Sequence, residues 1–303
     1  MMPGELQEGK APFSSFETWY AVAGELRPGD TKAPAPLLTL HGGPGATHDY
    51  LLSMTDLAVG GRAVIFYDQL GSGHSTHLPE RGADFWTVEL FKQQLTALIE
   101  HLGIAGRYHL LGQSWGGFLA QEHALQTPAG MRSMILSNTA CSFPAFVREA
   151  NRLRLELPPD VEAVLRRHEA AGTTEDPEYA QACAVFYHRH VCRMEEWPEE
   201  VVRSFTLMDE DPTVYHTMNG PSEFHVIGSI RDWEACSRLG GIRVPTLLLS
   251  GRYDEATPAL QEPLLGGIAG SQHQIFEQSS HMPFWEERAA YMRAAGEWLT
   301  EFD

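Results

Sequence analysis

Basic residues are scarce in this chain. It has 22 lysines and arginines against 40 aspartates and glutamates, a formal net charge of −18 over 303 residues. That balance argues against nucleic acid and anionic membrane surfaces as partners, because both are held by basic patches. It serves solubility first and a cationic small molecule second. No run of 18 apolar residues occurs, so no membrane-spanning segment is expected. The opening Met1-Met2-Pro3-Gly4-Glu5 has neither a basic stretch nor an apolar core, so no secretory signal is expected. Cysteine is sparse too. Cys141, Cys183, Cys192 and Cys236 lack the spacing of a disulfide framework, and the expectation is four reduced thiols in a cytoplasmic protein. Gly71-Ser72-Gly73 is no dinucleotide fingerprint, since Thr76 stands where a third glycine is required. His188, His190 and Cys192 have no fourth ligand at zinc-site spacing and read as packing and hydrogen-bonding residues. Neither a cofactor nor a metal is expected.

What the chain does have is an alternation of buried-strand and helix patterns. Aromatic-rich runs in residues 13–28 read as an antiparallel hairpin at a sheet edge. Apolar runs at Pro36–Leu40, Ala63–Tyr67, Tyr108–Leu111 and Ser133–Ser137 read as buried strands. Between Asp84 and Leu102, Val88, Phe91, Leu95, Leu98 and Leu102 step by three and four residues, one face of a helix that Gly103 ends. Strand character disappears over 141–240, where charged helical stretches, aromatics and proline breaks dominate, and returns at Val244–Ser250 and His273–Phe276. The expected class is α/β, a mostly parallel sheet with helices on both faces. Residues 1–140 and 241–303 form the core, and a helical cap is inserted at 141–240.

The chemistry centres on Gly112-Gln113-Ser114-Trp115-Gly116-Gly117, between a strand and a helix pattern. Strand, G-x-S-x-G, helix is the nucleophile elbow of α/β-hydrolases, in which the acid and the histidine follow the serine in chain order. A serine hydroxyl needs a base, and the base needs an acid to hold its tautomer. Asp254 follows the strand ending at Ser250 and His281 lies on the exit from Phe276, so Ser114, Asp254 and His281 are the candidate triad. Acyl transfer also needs two amides at the developing oxyanion. Trp115, after the nucleophile, and Gly43, in the His41-Gly42-Gly43-Pro44-Gly45 loop after an earlier strand, are the candidates.

These motifs together resemble the proline iminopeptidases, serine aminopeptidases of the α/β-hydrolase superfamily. The carriers are HGGPG, the D-Q-x-G-x-G-x-S of Asp68–Ser75, the G-Q-S-W-G-G elbow and the late S-x-H, and the resemblance covers essentially the whole chain. It is nearest to the branch containing the tricorn-interacting aminopeptidase and amino-acid amidases. The resemblance implies that Glu223, in the cap, and Glu255, beside Asp254, bind the substrate's α-ammonium. An exopeptidase must hold that cation a fixed distance from the scissile carbonyl, and a desolvated carboxylate pair does so selectively. The implied activity is release of an N-terminal residue, proline or another small apolar one, from short peptides or amino-acid amides. A prolinamide-type amidase and a carboxylesterase are the alternatives. Phe143, Phe146, Tyr187 and Phe224 are the cap aromatics that would set a proline preference. Oligomeric state is not legible.

Overall fold

The computed structural model describes residues 6–303. Its centre is an eight-stranded sheet in the order β1-β2-β4-β3-β5-β6-β7-β8. The strands are β1 Gln7–Phe13, β2 Phe16–Ala23, β3 Leu37–Leu40, β4 Val64–Tyr67, β5 Tyr108–Gln113, β6 Met131–Ser137, β7 Thr246–Gly251 and β8 Gln272–Phe276. β3 to β8 pair in parallel, and the β1–β2 hairpin is an antiparallel edge joined through β4. The hairpin predicted over 13–28 thus starts earlier, at Gln7. Its first strand opens with Gln7, Glu8, Gly9 and Lys10 and pairs through backbone groups, which hydrophobic patterning does not register.

The inner parallel strands β3 to β7 are largely apolar on both sides because both sides are covered, whereas the edge strand β8 is partly exposed. Leu38, Leu40, Ile65, Leu110 and Leu136 face one core with α1 (Val88–His101) and α2 (Trp115–Ala124). Their neighbours Leu37, Val64, Phe66, Leu111 and Ile135 face the opposite core, built on Leu51, Met54, Tyr291, Trp298 and Leu299. α1 buries Phe91, Leu95 and Leu98, as their spacing predicts. It begins at Val88 rather than near Asp84, because Thr87 is the cap and its hydroxyl accepts the Leu90 amide at 3.2 Å.

Between β6 and β7 the chain inserts α3 (Phe143–Arg154), α4 (Pro159–Ala171), α5 (Pro177–His190), α6 (Glu199–Glu210) and α7 (Thr213–Met218). α3, α4 and α5 share a core of their own, with Leu153, Leu165, Tyr179, Cys183, Phe186 and Phe224, whereas α6 packs through Val201 and α7 through Val214 and Met218 onto the cores beside the sheet. α8 (Glu262–Gly267), α9 (Pro283–Glu286) and α10 (Arg288–Glu301) complete the chain. No described helix is long and apolar enough to cross a membrane.

The expectation of four reduced thiols is corrected here. Cys141 and Cys236 form a disulfide across 95 residues of sequence, with Cα atoms 5.1 Å apart, while Cys183 and Cys192 are free and buried. The cause is topological. An insertion between adjacent parallel strands must bring its two ends back together. Here the Ala235 amide donates to the Cys141 carbonyl at 2.8 Å and the Phe143 amide to the Trp233 carbonyl at 3.0 Å. Cysteine spacing carries no trace of this, and the pair removes one support for the cytoplasmic expectation.

Candidate active site

The elbow is built by steric necessity. Ser114 has φ 54° and ψ −124°, a conformation that L-residues rarely adopt. A Cβ on Gly112 would lie 2.2 Å from the Gly116 carbonyl oxygen, and one on Gly116 would lie 2.1 Å from the Leu40 oxygen. Only glycine fits either place. The turn leaves Ser114 partly exposed at the floor of a cavity of about 1060 Å³ that also touches Gly43, Glu223, Glu255 and His281. Trp115 opens α2, so its amide has no acceptor within the helix.

Asp254 and His281 meet as the sequence predicts. The His281 Nδ1 donates to Asp254 Oδ1 at 2.6 Å, and both side chains are buried. Burial alone would lower the His281 pKa, but the Asp254 charge and hydrogen bond outweigh it, so the pKa lies above the ordinary histidine value. Glu223 and Glu255 share the same cavity. The Tyr215 hydroxyl donates to Glu223 Oε1 at 2.5 Å. Glu255 Oε1 stands 3.7 Å from His281 Nε2, while its buried Oε2 has no partner. Burial raises both carboxyl pKa values, and that of Glu255 is raised further by Glu223 and Asp254. The cavity is lined by six carboxylates (Glu169, Glu175, Asp176, Asp209, Glu223 and Glu255) and, among the described residues, by no lysine or arginine. Its inner end is therefore short of positive charge, and a cation entering it meets an unpaired acceptor.

Several supports escape sequence reasoning. Asn138, at φ 54° just beyond β6, donates to Asp254 Oδ2 at 2.6 Å and to the Ser280 carbonyl at 3.3 Å. Its own Oδ1 accepts from Ser137, whose hydroxyl accepts from Tyr291. Tyr50 accepts the Gly42 amide at 2.6 Å and donates to Gln113 Oε1 at 2.6 Å, and Gln113 donates to the His281 carbonyl at 3.2 Å. Gln69 ties three segments together. Its amide donates to His41 Nε2, its side chain donates to the His41 carbonyl, and its Oε1 accepts from the Trp115 indole. Burial pushes the His41 pKa down to about 4, which keeps Nε2 free to accept. Glu286 accepts the Ser280 amide at 2.7 Å and its hydroxyl at 2.8 Å, anchoring the loop that carries His281. The one advance signal is position. Asn138 lies past the carboxyl end of a parallel strand, where α/β sheets place their sites.

One reading of the cap changes. Phe224 lines neither the large cavity nor the small pocket beside Ser114 and packs against Phe186, 5.0 Å between ring centroids, in the helical core. Phe143 and Phe146 line the small pocket and Tyr187 the large cavity. His190 uses Nδ1 on the Tyr253 carbonyl at 2.9 Å, and His188 lies against Trp197.

The family profile described as the alpha/beta hydrolase fold matches residues 35–288. The chain is 41% identical over 259 residues to the proline iminopeptidase of Thermoplasma volcanium, covering 86% of each. It is 38% identical to that of Lactobacillus helveticus, covering 99% of each. Among solved structures, VinJ superposes with a TM-score of 0.95 at 48% identity, covering 98% of this chain and 99% of that one. The proline iminopeptidase of Mycobacterium smegmatis superposes with a TM-score of 0.89 at 42% identity, covering 98% of both. An eight-stranded hydrolase sheet, these motifs and relatives aligned along the whole length leave one assignment: the chain is a hydrolytic enzyme of the proline iminopeptidase family, within the α/β-hydrolase fold.

Proposed function

We propose that the protein is a serine aminopeptidase that releases an N-terminal residue, proline or another small apolar one, from short peptides. The observation that carries this reading is the pair Glu223 and Glu255 beside Ser114 in a cavity that, among the described residues, no lysine or arginine lines. A substrate's α-ammonium supplies the missing charge and the partner that Glu255 Oε2 lacks. With the ammonium held there, the scissile carbonyl lies over Ser114. His281 Nε2 takes the serine proton as Oγ attacks, and Asp254 holds the ring and stabilises the imidazolium. The Gly43 and Trp115 amides receive the oxyanion. His281 then protonates the departing nitrogen, and water releases the amino acid from the acyl-enzyme. The insertion at 141–240 acts as a cap that brings Glu223 to the core. No cofactor or metal enters these steps.

Cavity size favours a peptide leaving group over ammonia. About 1060 Å³ on the side lined by His281 is far more than an amide nitrogen needs. An amino-acid amidase is the second reading, and a carboxylesterase, which has no use for a paired-carboxylate anchor, the third.

Aminoacyl-4-nitroanilides with free and with acetylated amines test the proposal. Turnover is expected for the free amines alone. Equal turnover of an acetylated substrate would remove the ammonium site and leave an esterase. The pH profile gives a separate check. His281 must be neutral to act as base, and its pKa is raised, so kcat/KM falls as pH drops through a value above about 6.5. On the alkaline side it falls as the substrate ammonium deprotonates, at about 7.7–8.0 for an α-amine. A small activated ester without an amine is expected to keep the acid limb and lose the alkaline one. An amine substrate that lost no activity on the alkaline side would count against the anchor.

A further inference from the structure

The large cavity changes character along its length. Glu223, Glu255 and His281 stand together beside Ser114. Two cap helices add an apolar wall, with Tyr187 and Val191 at the end of α5, Val202, Phe205 and Met208 on α6, and Trp197 between the helices. Both helices are docked on the catalytic loops. The His190 carbonyl accepts the Glu255 amide at 3.2 Å, and the Ser204 hydroxyl accepts the Thr47 amide at 3.1 Å, just beyond the loop that carries Gly43. The wall therefore starts next to the reacting groups. Its rings are held in place: Trp197 meets Phe205 edge-on at 5.4 Å between centroids, Tyr187 lies 6.4 Å from Phe205, and the Trp197 indole donates to the Cys192 carbonyl at 3.0 Å. All three rings are partly exposed, and Val202 keeps 48% of its surface open. Apolar surface left uncovered inside a cleft that holds a nucleophile is surface for a substrate.

We infer that this wall selects the leaving group: the enzyme favours peptides whose second residue is apolar and has its carboxyl group tied in a further amide bond, over free dipeptides. This rests on the aminopeptidase reading above. The leaving nitrogen takes its proton from His281, so it departs into the cavity that His281 lines. In a dipeptide the free carboxylate is only two bonds from that nitrogen. It would stand near Glu255, whose Oε1 is 3.7 Å from His281 Nε2. No lysine or arginine lines the cavity among the described residues to receive it. Toward solvent the lining carries Glu175, Asp176 and Asp209, all exposed and all of the wrong sign. A carboxylate moved out of water into such a space loses hydration and gains no partner. An amide in its place carries no charge to desolvate, and an apolar side chain beside it covers Phe205 and its neighbours. In a longer peptide the terminal carboxylate lies farther from the reacting groups, so the limit falls on dipeptides.

The test fixes the N-terminal residue, as proline and again as alanine, and varies the leaving group among phenylalaninamide, glycinamide and free phenylalanine. Release of the N-terminal residue is measured at pH 7.5. Burying a phenyl ring is expected to raise kcat/KM for phenylalaninamide about tenfold or more over glycinamide. The free dipeptide is expected to fall about tenfold or more below its amide. A free carboxylate also makes the departing amine more basic, so the amide-to-dipeptide ratio is measured again in Val202→Lys and Asp209→Asn. One adds a cation to the wall and the other removes an anion, while the chemistry of the leaving amine stays the same. Both positions are exposed, and retained amide turnover shows that the variants are folded. Each is expected to narrow the ratio several-fold. A parent that cleaves the dipeptide as fast as the amide, or glycinamide as fast as phenylalaninamide, overturns the inference and leaves the aminopeptidase reading standing. So does a ratio that neither folded variant narrows. If neither variant folds, the parent's ratio at low and high salt decides, because screening relieves repulsion and leaves amine basicity in place. Failure on every free-amine substrate, 4-nitroanilides included, overturns the aminopeptidase reading and this inference with it.

Discussion

Replacing Ser114 with alanine is expected to reduce amide hydrolysis on the order of 10⁴- to 10⁶-fold while the protein stays folded. The oxygen removed belongs to a partly exposed side chain at the cavity floor. The elbow's shape comes from Gly112 and Gly116 packing on neighbouring backbone and does not depend on the hydroxyl. Circular dichroism and thermal melting of Ser114→Ala are therefore expected to match the parent. Residual turnover above the uncatalysed rate would come from the oxyanion amides and substrate binding, which the substitution leaves in place. A serine-directed fluorophosphonate is expected to label the parent and not the variant, and EDTA to leave the parent's activity unchanged. Near-normal turnover by Ser114→Ala would end the serine mechanism. Loss of activity with chelator would reopen a metal role.

The second large effect concerns the amine anchor. Glu223→Gln keeps the shape of the side chain and its contact with Tyr215 while removing the charge. A substrate ammonium would then face Glu255 alone, in a site where burial already disfavours the ionised carboxylate. Truncating one member of a buried charge pair costs about 2–5 kcal/mol, which corresponds to roughly 30- to several-thousand-fold in kcat/KM. The loss is expected on free-amine substrates. A small activated ester without an amine uses only Ser114, His281 and the oxyanion amides, and is expected to be hydrolysed by the variant nearly as well as by the parent. Equal losses on both substrates would mean that Glu223 supports the cap and not the substrate.

Much of this protein was legible in local sequence. The buried parallel strands appear as short apolar runs because each must be hydrophobic on both faces. The elbow is readable because its conformation tolerates only glycine at two positions within five residues, so the steric requirement and the sequence pattern coincide. Asp254 and His281 could be chosen from position alone, since each follows a strand at the end of the sheet where the site lies. The glutamates are different. Nothing local distinguishes Glu223 from a surface charge, and only the family resemblance singled it out.

Tertiary structure decided whatever depends on contacts between distant segments. Asn138 supports Asp254 from 116 residues away, and Tyr50 supports Gln113 from 63. An asparagine and a tyrosine carry no periodicity that announces a partner. Cys141 and Cys236 pair because the two ends of an insertion return to neighbouring strands, not because of their spacing. Of the four cap aromatics, Phe143 and Phe146 wall a pocket beside the nucleophile, Tyr187 faces the large cavity and Phe224 is buried among helices. All four are aromatic residues in helical or loop surroundings and look alike in the sequence. Composition and pattern determine which side chains must leave water. Which of them meet across the fold, and so how much room is left beside Ser114, follows from packing that is close-fitting in three dimensions and has no counterpart along the chain.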